Sequence, residues 1–229
     1  GNILNVKRVS NLCQKYNSFF HTDAVQAVGH YKIDLKSINI DFLSSAAHKF
    51  HGPKGVGFTF INKSTKIKSF ICGGPQERGL RAGTESVHNI VGMTKALEIA
   101  DKNMEQEAKH VLSIKEYMID NLRKLFPDIH FNGESGDIKN STYTILNVCL
   151  PISNDKAAML DFNLDLKGIA CSRGSACQSG SSEGSHVLNE IQSEEQKKFP
   201  SVRFSFSHNN KIEEVDYLID TLKELIYSQ

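Results

Sequence analysis

Short apolar runs alternate with longer segments of helical periodicity along this sequence, and this alternation limits the possible folds more than any other feature. Apolar residues spaced three and four positions apart predict helices, and apolar runs bounded by turn residues predict strands. The predicted helices are residues 3–16, 24–28, 87–126, 155–166 and 211–227. The sequence is compatible with a break in the third of these helices near residue 101. The predicted strands are residues 18–21, 40–47, 56–61, 67–72, 129–132, 143–150, 169–172 and 201–206. The alternation predicts a layered α/β architecture rather than a helical bundle.

The long helical segment divides the chain into two predicted domains. A length of 229 residues is enough for one large or two modest domains with a buried core. Pro127 ends the helix, because proline cannot continue the backbone hydrogen bonding. The strands and helices that follow it form a second group. We therefore predict one domain over residues 1–102 and a C-terminal one over residues 103–229, which includes the connecting second part of the long helix.

The charge and the cysteine content exclude several classes of protein. With 27 Lys+Arg against 26 Asp+Glu, the chain lacks the basic excess of nucleic-acid or anionic-membrane binders. No apolar run approaches the ~20 residues that cross a bilayer. The five cysteines are scattered and include no CxxC pair, which indicates free thiols in a reducing compartment. We expect a cytoplasmic protein that binds neither nucleic acid nor membrane.

Lys49 is the first candidate for chemistry, because it follows a predicted buried strand within two residues. The carboxyl ends of strands are where open α/β sheets bind ligands. A partly desolvated lysine there has a lowered pKa and can form a Schiff base with a carbonyl cofactor. The alternative is an ordinary surface lysine.

Asp23 and Gln26 follow another strand, one helical turn apart. An aspartate beside a pyridinium nitrogen keeps that nitrogen protonated, and Gln26 could donate to a phenolate oxygen of the same ring. Alternatively, Asp23 only caps the helix that starts at residue 24. His48 could stack on a ligand or relay protons. The spacing of His21, His48 and His51 is not a known zinc pattern, so no metal site is predicted.

A glycine-rich segment, residues 73–84, could bind an anion. Its four glycines let backbone amides approach closely, and Arg78, Arg81 and Thr84 supply further donors. The alternative is a tight crossing loop before the long helix.

Cys177 lies in a serine- and glycine-rich segment, with Arg173 near enough in sequence to favour a thiolate. A functional role is therefore more plausible for Cys177 than for the other four cysteines, which fall in apolar segments and are predicted to pack. Arg203 alternates with apolar residues on a predicted strand. It could bind a carboxylate bidentately, although a solvated side chain is the simpler expectation.

Taken together, these residues resemble the class V, fold-type I pyridoxal-phosphate family, and within it the cysteine desulfurases of the NifS/IscS group. The resemblance covers essentially the whole chain and is carried by residues 21–26, 47–55, 73–84 and 174–177. It implies the C-terminal part of a mixed-sheet large cofactor domain followed by a smaller α/β domain. It also implies pyridoxal 5'-phosphate as cofactor, L-cysteine as substrate and a homodimer.

The resemblance further implies a role for each candidate residue. Lys49 would hold the cofactor covalently, with His48 against it assisting proton transfer. Asp23 would pair with the pyridine nitrogen and Gln26 with the phenolic oxygen. Cys177 would take the sulfur of cysteine as a persulfide, leaving alanine. The implied role of Arg203 is to hold the substrate carboxylate, and that of Thr84 is to reach the phosphate bound by the neighbouring subunit.

Two features depart from that family. A serine three residues before the lysine binds phosphate in many relatives, but Ala46 occupies that position, so Ser45 is the predicted phosphate ligand. The family is also longer at the N-terminus, so this chain is expected to be a C-terminal part of such an enzyme.

The predicted function is delivery of sulfur to an acceptor or iron–sulfur scaffold protein, for iron–sulfur clusters or thiolated products. The alternatives are a related lyase or aminotransferase, such as a selenocysteine lyase, and an inactive fragment that only docks an acceptor.

Overall fold

The computed structural model describes residues 1–152, 154–173 and 185–227. These residues form two compact units, Leu4–Glu105 and Gly1–Ile3 with Gln106–Gln229. We call them the Lys49 unit and the Arg203 unit, after one residue of each. No helix in the described part of the chain is long and apolar enough to cross a membrane.

A three-stranded mixed sheet forms the centre of the Lys49 unit. Helix α1 (Val6–Lys15) precedes strand β1 (His21–Asp23), which pairs in parallel with β2 (Phe42–Ala46), and β3 (Gly57–Ile61) pairs antiparallel with β2. Side chains alternate between the two faces of a strand, and apolar side chains form the core of this unit. The core residues are Phe20, Ala24, Val28, Ile40, Leu43, Ala47, Phe50 and Ala100.

Helix α2 (Val87–Leu125) is continuous over 39 residues, so no break occurs near residue 101. Its interior contains no proline, and Pro127 follows two residues after its end. A polar stretch at residues 101–103 does not interrupt a helix whose backbone hydrogen bonds are satisfied internally.

The Arg203 unit contains a second three-stranded sheet, entirely antiparallel, in the order β4 (His130–Phe131), β5 (Ile145–Cys149) and β6 (Ser201–Ser205). The other elements of this unit are α3 (Asn154–Ala158), α4 (Leu160–Leu166), α5 (His186–Ile191) and α6 (Ile212–Tyr227). The apolar faces of α2 and α6 contribute Ile114, Met118, Leu122, Val215 and Leu222 to its core. Burial of such side chains, at about 25 cal/mol per Å² of apolar surface, is the main stabilising contribution.

Several predicted elements differ from those observed. Residues 67–72 do not form a strand, because no described segment pairs with them and Ala82 N donates to the Ile71 carbonyl instead. Residues 24–28 form a single turn rather than a helix. The helix predicted over 155–166 is divided at Met159. Among the described residues, 169–172 contribute a single bridge, between Ser172 and Arg203. Helix α5 was not predicted, because its six residues are too few to establish a period.

Candidate active site

The carboxyl ends of β1 and β2 lie at the same edge of the first sheet. The two strands are parallel, and their register places Asp23 beside Ser44. The hydrogen bond from Ala24 N to the Ser44 carbonyl, at 2.9 Å, extends the pairing one residue further. Lys49 follows the end of β2 by three residues. Sequence segments separated by about 20 residues therefore present Asp23 and Lys49 from the same sheet edge, where ligands bind in α/β folds.

Lys49 is exposed together with His48, because the residues that flank this pair, Ala47 and Phe50, are buried. It lies in a 3₁₀-helix, Ala47–Phe50, in which Ala47 is 0% and Phe50 1% exposed. These two side chains pack into the core of the Lys49 unit, so His48 and Lys49 project to solvent. Nε2 of His30 lies 3.1 Å from the Lys49 carbonyl and fixes the backbone at that position. In the part of the chain that the structure describes, the Lys49 ammonium group has no ion-pair partner.

The turn that follows Lys49 depends on close backbone approaches. His51 adopts a left-handed conformation at φ 65°, and Gly52 N donates to the Ala47 carbonyl at 2.8 Å. At Gly57, which faces Ala46 across the sheet, an added Cβ would lie 2.2 Å from the Ser45 carbonyl oxygen. Glycine is therefore required there, and the residues after β2 are held in one geometry.

Asp23 is partly engaged by its own backbone. Its Oδ1 accepts a hydrogen bond from Val25 N at 2.9 Å, so the residue does cap the turn that follows. No described residue donates to Oδ2, and the side chain is exposed, so the second oxygen remains available to a ligand. Gln26 is exposed one turn later.

The two faces of β2 carry different groups near this edge. Phe42, Ser44 and Ala46 share the face of Asp23, and the Ser44 hydroxyl lies 2.9 Å from Nε2 of His21. Ser45 lies on the opposite face with Leu43, where its hydroxyl is buried without a hydrogen-bond partner among the described residues. A phosphate role for Ser45 remains a prediction, and the register puts Ala46 rather than Ser45 on the Asp23 face.

The glycine-rich segment is exposed and strongly turned. Glu77 and Arg78 have φ values of 48° and 58°, and Gly83 N donates to Oε1 of Gln76 at 3.1 Å. Thr84 is exposed at the end of this segment. The predicted anion site and the role of Thr84 thus remain predictions.

Arg203 is not a solvated surface residue, contrary to the simpler expectation from the sequence. Its side chain is half-buried, and its Nε is buried without an acceptor in the described part of the chain. Its backbone pairs with Ser172 through two hydrogen bonds of 2.7 and 3.1 Å. Val202 and Phe204 face the core from the other side of β6. A buried guanidinium nitrogen without an acceptor is what a carboxylate-binding arginine needs.

Cys177 lies outside the described residues, and the other four cysteines are free thiols. All four were predicted to pack, which is wrong for Cys72. It is exposed because the strand predicted around it does not form. Burial raises the pKa of the Cys149 thiol, and burial with the nearby Asp161 carboxylate raises that of Cys171 to about 11. Cys149 and Cys171 are therefore poor nucleophiles.

Some polar residues with structural importance carried no recognisable signal in the sequence. Lys115 is fully buried, and its Nζ donates to the Ser141 hydroxyl at 2.7 Å and to the Thr142 carbonyl at 2.8 Å. Its position on the apolar face of the long helix was the only available indication. Asn132, the last residue of a predicted strand, and Gln192, which lies outside every predicted element, were also missed.

The residues at the first sheet edge fit pyridoxal phosphate. The cofactor needs a primary amine for covalent attachment and a carboxylate at the pyridine nitrogen. Lys49 offers an exposed amine without an ion-pair partner in the described chain, and Asp23 offers a carboxylate oxygen from the adjacent parallel strand.

Comparison with known proteins gives consistent matches over nearly the whole chain. The family model described as "Aminotransferase class-V" matches residues 1–218. A Clostridium botulinum protein named cysteine desulfurase IscS is 40% identical over 226 residues, which are 99% of this chain and 56% of the relative. A solved NifS-like protein superposes with a TM-score of 0.83 at 34% identity, over 98% of this chain and 57% of its own. A NifS-like protein from Rickettsia africae gives 0.80 at 26% identity, over 98% and 58%. This chain thus spans little more than half the length of the proteins it matches.

Proposed function

The chain belongs to the class-V aminotransferase family, and we propose that it acts as the part of a pyridoxal-phosphate-dependent cysteine desulfurase that carries the attachment lysine. The observation that carries the proposal is the exposure of Lys49 in a short helix whose first and last residues are buried, at the same sheet edge as Asp23. The matched proteins named cysteine desulfurase support the choice of reaction within the family.

Each residue would have a distinct part in the reaction. When bound, the cofactor ring withdraws electrons from the α-carbon of an amino acid. The free oxygen of Asp23 would hold the proton on the pyridine nitrogen, and Gln26 would donate to the phenolic oxygen. Lys49, with His48 beside it in sequence, would position the cofactor and move protons at the α-carbon. Arg203 would bind the substrate carboxylate through its guanidinium group, whose Nε has no acceptor in the described chain.

Cys177 would take the sulfur. Its thiolate would form an S–S bond to the substrate sulfur as the bond between that sulfur and the β-carbon breaks. The electron pair of the broken bond and a proton go to the β-carbon, so the products are alanine and a persulfide on Cys177. No external oxidant or reductant is needed for this step.

Attachment of the cofactor gives the first test. The chain is mixed with pyridoxal 5'-phosphate and reduced with borohydride, and the modified residue is located by peptide mass spectrometry. We expect the cofactor on Lys49 and no attachment in Lys49→Ala, while Lys54→Ala, which changes an exposed lysine five residues away, retains it. Modification spread over many lysines, or none at Lys49, would contradict the proposal.

Product analysis gives the second test. Cysteine should yield alanine and a persulfide, and Cys177→Ala should abolish persulfide without reducing cofactor attachment. Cys72→Ala, a change of another free thiol, should behave as wild type. A keto acid as the product would identify an aminotransferase or lyase, and sulfide release that survives Cys177→Ala would refute the role of that residue.

The proposal also covers the compartment, the oligomeric state and the partner of the protein. We expect a cytoplasmic homodimer that passes persulfide sulfur to an acceptor or iron–sulfur scaffold protein. One observation supports a homodimer: the segment before Thr84 exposes three large apolar side chains close together in sequence, Ile67 (42%), Phe70 (97%) and Ile71 (48%), and grouped apolar exposure is typical of a protein–protein contact. Light scattering at several protein concentrations would measure the subunit number, and a strictly monomeric cofactor-bound protein would contradict it.

A further inference from the structure

One row of side chains crosses the second sheet at the position of Arg203. The backbone N of Asn132, the residue after β4, donates to the Asn147 carbonyl at 2.9 Å, so Asn132 lies beside Asn147 of β5. Asn147 is in turn the cross-strand partner of Arg203 on β6. Paired residues of neighbouring strands lie on the same face of a sheet. The side chain of Asn147 therefore stands on the face of the sheet that carries the guanidinium group.

Asn132 is the most constrained member of this row. It is only 7% exposed, and both of its side-chain polar atoms are hydrogen-bonded. Its Nδ2 donates to Oδ1 of Asn147 at 2.7 Å and to the Ser201 hydroxyl at 3.0 Å. Its Oδ1 accepts from Nε2 of Gln192 at 2.8 Å. A buried amide that is satisfied at both ends keeps one orientation, because rotation would leave a buried polar group without a partner.

These hydrogen bonds occupy the acceptors that lie nearest to Arg203 in the sheet. Side chains directly opposite each other on antiparallel strands have Cβ atoms about 4.5–5.5 Å apart, so the Asn147 amide is within reach of Arg203. The Asn147 oxygen is instead bonded to Asn132. The Ser201 hydroxyl, two residues before Arg203 on the same face, accepts from both Asn132 and Gln192, which uses both of its lone pairs.

The consequence is visible at Arg203 itself. Its Nε is buried and has no acceptor in the described part of the chain. A buried donor without a partner is uncommon, because it has lost its hydrogen bonds to water and gained none in return. Without the bond from Asn132, rotation of the Asn147 amide would bring an oxygen to Arg203 and satisfy this donor.

We propose that Asn132 is a positioning residue for the substrate carboxylate: by holding the Asn147 oxygen, it keeps the Arg203 guanidinium free of an internal acceptor. The inference rests on the proposed function, in which Arg203 binds that carboxylate. Bidentate pairing of a guanidinium with a carboxylate needs two adjacent N–H groups that are free at the same time. An internal acceptor at Nε would compete with the carboxylate, so cysteine would bind more weakly while the later chemical steps would be unchanged.

A double-mutant cycle on Asn132 and Asn147 gives the first test, read as kcat and KM for alanine formation from cysteine. Asn132→Ala should raise KM about ten-fold at unchanged kcat, the pattern of lost substrate binding. In an Asn147→Ala background, where no amide oxygen lies opposite Arg203, the same change should raise KM less than about two-fold. An equal rise in both backgrounds would overturn the proposal, as would a fall in kcat at unchanged KM.

Asn147→Asp tests the same point without altering the buried Asn132. Asn147 is only half-buried, and aspartate keeps its size and the oxygen that accepts from Asn132. The Nδ2 donor becomes a second oxygen, which can accept from Arg203. KM should rise at least about ten-fold. Asn209→Asp, which adds the same charge at an exposed position of the Arg203 unit, should match wild type. An unchanged KM in Asn147→Asp would contradict the proposal.

A third readout does not depend on activity. The Nε–H resonance of Arg203 is followed by NMR in protein that contains isotopically labelled arginine, and it is assigned through Arg203→Lys. In Asn132→Ala the resonance should move downfield and its exchange with water should slow about ten-fold, because the N–H gains an acceptor. A wild-type resonance in this variant would overturn the proposal. If wild type makes neither alanine nor persulfide, the proposed function fails, and the resonance still decides whether Asn132 keeps Arg203 unpaired.

Discussion

Replacement of Lys115 by methionine tests the energetic role of the buried lysine on α2. Its Nζ donates to the Ser141 hydroxyl and to the Thr142 carbonyl, and its side chain has no exposed surface. Methionine has a similar unbranched shape and no donor, so the buried Ser141 hydroxyl and the partly buried Thr142 carbonyl each lose one donor, at a cost of about 1–3 kcal/mol for the buried group. The substitution also removes the free-energy cost of burying an ammonium group, which offsets part of this loss. We expect a net loss of about 1–2 kcal/mol in the free energy of unfolding at neutral pH.

The pH dependence of this difference is the sharper measurement. Burial lowers the pKa of Lys115 from 10.5 to about 8, and the nearby Asp137 carboxylate opposes that shift. Between these two values the unfolded chain binds a proton that the folded chain does not. Stability rises with pH wherever the unfolded state binds more protons. Wild type should therefore gain stability from about pH 8 to about pH 10.5, and this gain should be absent in Lys115→Met.

Urea denaturation followed by circular dichroism, repeated from neutral pH to about pH 10, measures both effects. The difference between wild type and Lys115→Met should widen as the pH rises. Lys124→Met, which replaces an exposed lysine of the same helix, should follow wild type at every pH. A difference that stays constant over this range would refute the assignment of the lowered pKa to Lys115.

Two further predictions concern the turn near Lys49 and the free thiols. Gly29→Ala should lose about 3 kcal/mol in urea denaturation, because its φ is +84° and an added Cβ would lie 2.5 Å from Cβ of Phe50. Gly55→Ala, at φ +81° in open space, should lose only about 1 kcal/mol, and equal losses would contradict the importance of that contact. Iodoacetamide at about pH 8 should alkylate exposed Cys72 at least about ten-fold faster than Cys171, whose pKa burial raises to about 11. Peptide mapping measures both rates, and comparable labelling would show that Cys171 is accessible.

Much of the fold follows from local patterns in the sequence. The strand that precedes Lys49 was predicted from an apolar run and the final helix from its apolar periodicity. Both occur close to the predicted positions, as Phe42–Ala46 and Ile212–Tyr227. The strand predicted over residues 67–72 had a similar apolar composition and does not form. Composition measures a preference for extended backbone, but a strand also needs a hydrogen-bonding neighbour.

The candidate site, like the fold, could be predicted from the sequence only in part. The order of Asp23, Lys49 and Arg203 along the chain, and their positions on or just after strands, could be predicted from the sequence. The half-burial of Arg203, with an Nε that lacks an acceptor, could not be predicted, because it depends on groups distant in sequence.

The sequence by itself determined the α/β class, the family and the residues that can carry chemistry, because periodicity and motif spacing are local properties of the chain. Only the tertiary structure decided which polar groups are buried and what satisfies them. Lys115 bonds to residues 26 and 27 positions away, and Gln192 to Asn132 across 60 positions. Burial and hydrogen bonding are set when distant segments exclude water from one another, and no local pattern records which segments those are.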